Sequence, residues 1–327
     1  MQPTLFSVDL PLLGNVVFPS YFTLLTVGFA LALLLTWRDA KRLEIAPDRI
    51  IDLNLYMVIF GVVGARVLHV IADGFFWDYV HMCTAPETIK AVGNIPAHCT
   101  ADAQCAPHFL CNVAAGHCYP PRDCLLALKV WRGGLTYYGG FIAAVAFGWS
   151  YIIRHKLPFW RVHDLAGYAI PLGLFWGRMG CFLNGCCFGK TTTGMLGWTF
   201  PKGGATWRHQ LEVGLVAASA HAPLPVHPTQ LYLALLNLSI FFVCYAGIRP
   251  RKRFDGQVWW WFVLLYTIAR SVVEVIRDDD RGGFLALSTS QLISLPFFLL
   301  ALVMLHRLRR QTEARARETT EPPAAAG

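Results

Sequence analysis

Seven stretches of the chain are apolar almost without interruption: 20–37, 50–72, 134–153, 163–180, 228–248, 257–276 and 289–306. A helix needs about 20 largely apolar residues to cross the hydrocarbon core of a bilayer, so each stretch predicts a membrane-spanning helix. A membrane β-barrel is excluded, because barrel strands alternate over about ten residues and leave no continuous apolar runs. The polar positions between the runs are sorted by charge. Segments 38–49, 154–161, 249–256 and 307–327 hold 16 of the 28 Lys and Arg residues, while the opposite segments are far longer and carry nine. Positive residues stay on the cytoplasmic side, which predicts an outer N-terminus and an inner C-terminus. No Lys or Arg precedes Ser20, so the first run reads as an anchor and not as a cleavable signal peptide.

Composition agrees with this pattern and removes its rivals. The 327 residues are 55% hydrophobic and 15% charged, with a mean hydropathy of +0.45, whereas soluble domains carry about a quarter charged residues. The net charge of +8 invites a nucleic-acid partner, but such a partner needs a clustered basic face, and none is expected. The fold class is therefore all-α, a polytopic membrane protein. It divides into 1–72 (two spans), 73–132 (an outer insertion), 133–306 (five spans, with an outer head segment at about 181–227) and 307–327 (an inner tail). The tail from Gln311 is polar, rich in Pro and Ala, and predicted to be disordered. No internal repeat is evident.

The insertion holds six of the ten cysteines: Cys83, Cys99, Cys105, Cys111, Cys118 and Cys124. Their even number and outward placement read as three disulfides, for which there are about 15 connectivities. Zinc is the competing reading, although no C-x-x-C pair is present. A segment this small lacks a core of its own and needs such staples.

Three arginines, Arg66, Arg178 and Arg270, lie inside predicted spans, each costing on the order of 2.5–3.5 kcal/mol at a helix centre. In the predicted orientation all three fall one or two turns below the outer surface. Independent snorkelling accounts for one such residue. Three at one depth point to a shared cationic pocket for a phospholipid headgroup phosphate. Glu274 and Arg277 follow Arg270 on one helix face, either as an ion pair that eases insertion or as a carboxylate that aims Arg270. Further outer-end motifs are Gly133 to Gly140, with Tyr137 and Tyr138, then Gly177 to Lys190, then His227-Pro228-Thr229-Gln230-Leu231-Tyr232. The Gly- and Cys-rich run after Arg178 cannot face lipid, so it lines protein or a water-filled cavity.

These motifs, in this order, resemble the prolipoprotein diacylglyceryl transferase family over residues about 20 to 305. They are Gly64-Ala65-Arg66, Gly134 to Gly140, Gly177-Arg178-Met179-Gly180-x-Phe182-x-Asn184-Gly185, His227 to Tyr232, and Arg270-x-x-x-Glu274-x-x-Arg277. The resemblance implies a seven-span enzyme of the bacterial inner membrane whose active site faces the periplasm. It implies transfer of a diacylglyceryl group from phosphatidylglycerol to the lipobox cysteine thiol of a prolipoprotein, a step in lipoprotein biosynthesis. Phosphatidylglycerol and prolipoprotein signal peptides are then the partners, and no cofactor or metal is expected. Tyr138, Arg178, Arg270 and Cys186 become the catalytic candidates. The headgroup candidates are Arg66, Arg178, Arg270, Glu274, Arg277, Asn184, His227 and Gln230. Tyr138 stands where the family usually has His, Cys181 where it has Asn, Cys186 where it has an acidic residue, and Leu25 where it has Tyr.

Cys181, Cys186 and Cys187 form a second thiol group, read as filler, as a disulfide or as a reactive thiolate beside Arg178 and Lys190. Cys244 reads as core packing. Two other functions stay open: altered thiol or redox chemistry on the same lipid scaffold, and a non-enzymatic lipid-binding membrane protein.

Overall fold

The computed structural model describes residues 4–10, 14–72, 74–89, 99–105, 109–130, 134–278, 283–284 and 287–320. Gly133 of the first glycine motif and residues 321–327 of the tail lie outside them. A helix occupies each of the seven apolar stretches: α1 (Ser20–Ala40), α2 (Pro47–Ala72), α4 (Tyr137–Arg154), α5 (Phe159–Asn184), α7 (Thr229–Phe242), α8 (Gln257–Glu274) and α9 (Thr289–Thr320). Two short helices, α3 (Phe76–Thr84) and α6 (Ala205–Glu212), lie in the connections. Among the described residues, four helical segments are long and apolar enough to cross a membrane: Ser20–Leu43, Pro47–Ala72, Thr229–Arg251 and Thr289–Arg317. Their surfaces carry large exposed apolar side chains such as Phe22, Ile59, Ile71 and Leu295. So broad an apolar surface is unfavourable in water and favourable in lipid.

The molecule is mostly helical, consistent with the all-α expectation, and three short two-stranded antiparallel hairpins accompany the helices among the described residues: β1 (Thr4–Leu10) with β2 (Gly14–Pro19), β3 (Leu110–Asn112) with β4 (His117–Tyr119), and β5 (Gly283–Phe284) with β6 (Leu287–Ser288). In the first, Phe6 and Val8 alternate with Ser7 and Asp9 along β1, and Phe6 stacks on Phe18 at 4.7 Å. Residues 311–320 of the tail continue α9 as far as Thr320. Its Glu, Ala and Arg residues are good helix formers, and Arg309 pairs with Glu313 one turn on, at 2.8 Å.

The chain forms two compact units, Met1–Ile50 with Pro158–Gly327, and Ile51–Leu157. In the first, α5 is the central helix, packed against α1, α7 and α8, while α9 packs on α8. At one end of this group the helices are joined by charge. Asp164 of α5 is 3% exposed and accepts hydrogen bonds from the backbone N–H groups of Gly256 (2.9 Å), Val258 (2.9 Å) and Trp259 (3.1 Å). These are orphan donors at the start of α8, which no local side chain caps. Lys252 adds an ion pair to Asp164 at 3.1 Å. Beside it, Asp39 accepts from the Tyr168 hydroxyl at 2.8 Å and from Arg249 at 2.5 Å. α1, α5 and the segment before α8 are thus held in register by two buried carboxylates.

In the second unit α2 and α4 cross at small residues. A Cβ placed on Gly64 would come within 2.6 Å of the Gly139 carbonyl oxygen, so the backbones meet directly. The six insertion cysteines are all bonded, Cys83–Cys124, Cys99–Cys111 and Cys105–Cys118. That selects one of the possible connectivities and removes the zinc reading, since no thiolate is left to ligate. Cys111 and Cys118 are register partners in the β3–β4 hairpin, so both strands are stapled outward to the residues preceding them.

Removal of the Asp164 carboxylate leaves three helix N–H groups and the Lys252 charge uncompensated. Asp164→Ala is expected to destabilise the protein by about 3–5 kcal/mol, the usual cost of breaking a buried pair. Thermal unfolding in detergent micelles measures it. Asp164→Asn, which retains an acceptor, should lose less.

Candidate functional site

The C-terminal end of α5 does not end in a simple cap. Gly185 takes the left-handed conformation (φ 74°), and its N–H bonds back to the last turn, as does that of Cys186 to the Cys181 carbonyl at 3.2 Å. Cys187 is also left-handed, at φ 63°. A side chain in that region costs on the order of 1–3 kcal/mol and persists only where its surroundings impose it. Here three side chains do so. Thr206 Oγ1 donates to the Gly185 carbonyl at 3.2 Å, Gln230 Nε2 to that of Cys186 at 2.6 Å, and Thr229 Oγ1 to that of Cys187 at 2.8 Å. The start of α7 therefore shapes the turn after α5.

The chain then passes between two other helix ends. Gly189 N–H bonds to the His227 carbonyl at 2.9 Å, and Lys190 N–H to that of Ile276 at 2.9 Å. A Cβ at Gly189 would lie 2.5 Å from the Ile276 carbonyl oxygen and 2.7 Å from Thr229 Cγ2. Only glycine fits between these two segments. The junction joins the end of α5, the start of α7 and the end of α8.

Onto this junction converge the cations of the first unit. Arg270 (8% exposed) and Arg277 (5% exposed) are buried at the end of α8. Arg270 pairs with Glu274 at 2.5 Å and donates to Ser290 Oγ, at the start of α9, at 2.9 Å; Arg277 Nε is 3.9 Å from the same carboxylate. Arg178, on α5, is half-buried, acts electrostatically on Arg270, and has no hydrogen-bond or ion-pair partner among the described residues. Glu274 thus holds two guanidinium groups, and Arg178 brings a third positive charge to the same partly desolvated place. An anion is the natural complement.

The thiols sit beside these charges. Hydrogen bonds from Cys181 and Cys186, assisted by the Arg178 and Arg277 charges, hold the Cys187 thiol below the ordinary thiol range although burial opposes this. Cys181, Cys186, Cys187 and Cys244 are free thiols. Cys244 is fully buried in the π-helical continuation of α7, as core packing predicts.

The remaining site candidates separate into kinds. His227 Nδ1 lies 3.2 Å from the Tyr232 hydroxyl and is partly accessible. Asn184 is exposed at the last residue of α5 and interacts with Cys186. Gln230 is fully buried, and its Nε2 donates to the turn. Arg66 and Tyr138 belong to the second unit. Arg66 donates to three carbonyl oxygens, those of Ala127 (2.8 Å), Leu126 (2.5 Å) and Gly134 (3.0 Å), and its guanidinium lies 5.1 Å from the Tyr79 ring. It ties the insertion's end to α2. Tyr138 is exposed, with its ring 5.7 Å from that of Tyr137.

Sequence reasoning missed two residues. Ser290 supplies the hydroxyl on Arg270, and only its position in the polar start of α9 hints at it. Tyr21, one residue into α1, backs onto Gly180, where a Cβ would lie 3.0 Å from Tyr21 Cα, and interacts electrostatically with Arg178 and the three cysteines. Gly189→Ala should force the junction apart and cost about 1–3 kcal/mol, as overpacking does. A lowered melting temperature with unchanged membrane insertion is the expected result.

Comparison with known proteins fits this arrangement. A family model described as prolipoprotein diacylglyceryl transferase matches residues 9–94 and 110–307. A phosphatidylglycerol–prolipoprotein diacylglyceryl transferase of Solidesulfovibrio magneticus is 30% identical over 293 residues, 88% of this chain and 89% of that protein. The protein of the same name from Psychrobacter arcticus is 26% identical over 90% of each chain. The one from Stenotrophomonas maltophilia is 35% identical over 193 residues, 57% of this chain and 65% of its own length. With that relative, and with the one from Nitratidesulfovibrio vulgaris at 62%, the chain spans just under two thirds of the relative's length.

Proposed function

This chain belongs to the prolipoprotein diacylglyceryl transferase family, and on that premise we propose that it transfers a diacylglyceryl group from phosphatidylglycerol to the lipobox cysteine of prolipoproteins. The observation that carries the reading is Arg178, half-buried and without a hydrogen-bond or ion-pair partner among the described residues, beside Arg270 and Arg277. In the reaction the acceptor thiol, as thiolate, attacks the glycerol carbon that bears the phosphate ester. The C–O bond breaks, a thioether C–S bond forms, and glycerol-1-phosphate leaves with the electron pair. The thiol proton is lost to solvent or to the leaving phosphate.

The leaving phosphate gains a negative charge as the C–O bond breaks. Cations fixed around it are therefore worth more in the transition state than in the ground state, which is the condition for catalysis rather than mere binding. Glu274 holds Arg270 and Arg277 while Arg178 remains available to the phosphate. Because Arg66 is engaged by three carbonyls, we assign it to organising the second unit's outer segment. Asn184 and His227, the partly accessible polar groups of the junction, are assigned to headgroup binding. The same reading carries seven spans with an outer N-terminus, an inner C-terminus and a site toward the periplasm of the bacterial inner membrane. It draws on the Lys and Arg asymmetry and on the helix found at each apolar stretch.

The test is complementation of a bacterial strain depleted of its own transferase, together with turnover of phosphatidylglycerol on a lipobox peptide in membranes. The wild-type chain should rescue growth. Arg178→Ala and Arg270→Ala should each lose about 2–5 kcal/mol of transition-state stabilisation, the scale for truncating a buried charge partner. Arg178→Lys should recover little, since the guanidinium fork matches phosphate and the ammonium does not. Rescue undiminished by both Ala variants would reject the cradle. Failure of a well-expressed wild-type chain that still binds the lipid would leave a lipid-binding protein.

A further inference from the structure

The three thiols beside Arg178 have no part in that reaction as proposed. Cys181 stands in the last turn of α5, and Cys186 and Cys187 in the turn that follows. Their Sγ atoms all lie within 4.8 Å of one another. This convergence is built by the fold. Without the left-handed Cys187, and the bonds from Gln230 and Thr229 that impose it, the chain would not curl back over Cys181. The insertion cysteines are paired two by two, whereas this group has three members and its sulfurs are free. A disulfide would satisfy two and leave the third unused.

We propose that Cys181, Cys186 and Cys187 form a trigonal thiolate site for copper(I). Thiolates are soft ligands and select soft ions. No His or carboxylate completes the group to four ligands among the described residues, and structural zinc asks for four. A metal–sulfur distance of about 2.3 Å sets the three sulfurs of a planar site about 4 Å apart, a small contraction of the present arrangement. Three thiolates around one monovalent ion carry a net charge of −2. Arg178 and Arg277, which act electrostatically on Cys187, oppose it. Binding releases to solvent the protons of whichever thiols are still protonated and changes no oxidation state. The site does not depend on the transferase reading, since its occupant is held by the sulfurs alone.

The experiment titrates the purified full-length chain, in detergent micelles and under argon, with copper(I) supplied as its acetonitrile complex against a chromogenic copper(I) chelator. The wild type should withdraw one copper per chain. Cys181→Ser and Cys187→Ser should each weaken binding at least 100-fold, while Cys244→Ser, buried elsewhere, should leave it unchanged. X-ray absorption on the wild type should find three sulfur neighbours at about 2.3 Å, a readout that needs no variant to fold. Copper uptake equal to that of a triple Ser variant would overturn the site, as would two sulfur neighbours instead of three. Zinc(II) taken up in preference to copper(I) would overturn the assignment of the ion. Mass spectrometry of protein thiol-blocked at lysis that finds two of the three as a disulfide would overturn it as well.

Discussion

A guanidinium held away from water must be given compensation, and the junction at the C-terminal end of α5 is arranged around that requirement. Arg270 receives it from Glu274, one turn along its own helix, and from the Ser290 hydroxyl. Arg277 leans on the same carboxylate. Arg270, Glu274 and Arg277 share one helix face by spacing, and Arg178, which has no ion-pair partner among the described residues, comes from another helix. Breaking a buried pair costs about 3–5 kcal/mol, so Glu274 both stabilises the end of α8 and fixes where positive charge is left over. The opposite end of α5 shows the complementary solution, with the carboxylates Asp39 and Asp164 buried and each satisfied by a basic residue and further donors.

The long helices were legible because their signal is composition over about 20 residues, which neighbouring structure cannot overrule. What composition could not reveal is local. The β1–β2 hairpin is written in too few residues to stand out beside the apolar run that follows it. The extension of α9 depends on pairs such as Arg309 with Glu313, which count for little against a polar, Pro-containing tail when only averages are weighed. The disulfides were legible as a set, but the pairing of Cys83 with Cys124 is a fact of three-dimensional approach.

The candidate site was legible in a different way. An arginine inside an apolar run stands out by its cost in lipid, so Arg66, Arg178 and Arg270 were identifiable as candidates without any structure. What each does was not, because that depends on neighbours distant in the chain. Arg66 finds carbonyls some 60 residues away, and a carbonyl leaves no trace in the sequence. Gln230 looked like a ligand because it is polar at a helix start. The structure makes it fully buried, with its amide spent on the Cys186 carbonyl. Tyr21 and Ser290 were missed for the reverse reason, since neither type is costly at a helix end.

The turn from Gly185 to Lys190 ties these observations together. A left-handed cysteine is unfavourable by itself, and a short, Gly-rich segment has little hydrophobic burial with which to offset it. Its conformation is instead imposed from α7, through Thr229 and Gln230, and from α8, through the Ile276 carbonyl. Both donors on α7 are fully buried, so neither is free to exchange its bond for one to water. The turn is consequently as rigid as the helix junction that holds it. A rigid turn is the condition under which three thiols can be held within reach of one another while beside the guanidinium groups of Arg178 and Arg277. Preorganisation of that kind is what gives fixed charges their effect on a developing anion, because nothing has to reorient when the charge appears.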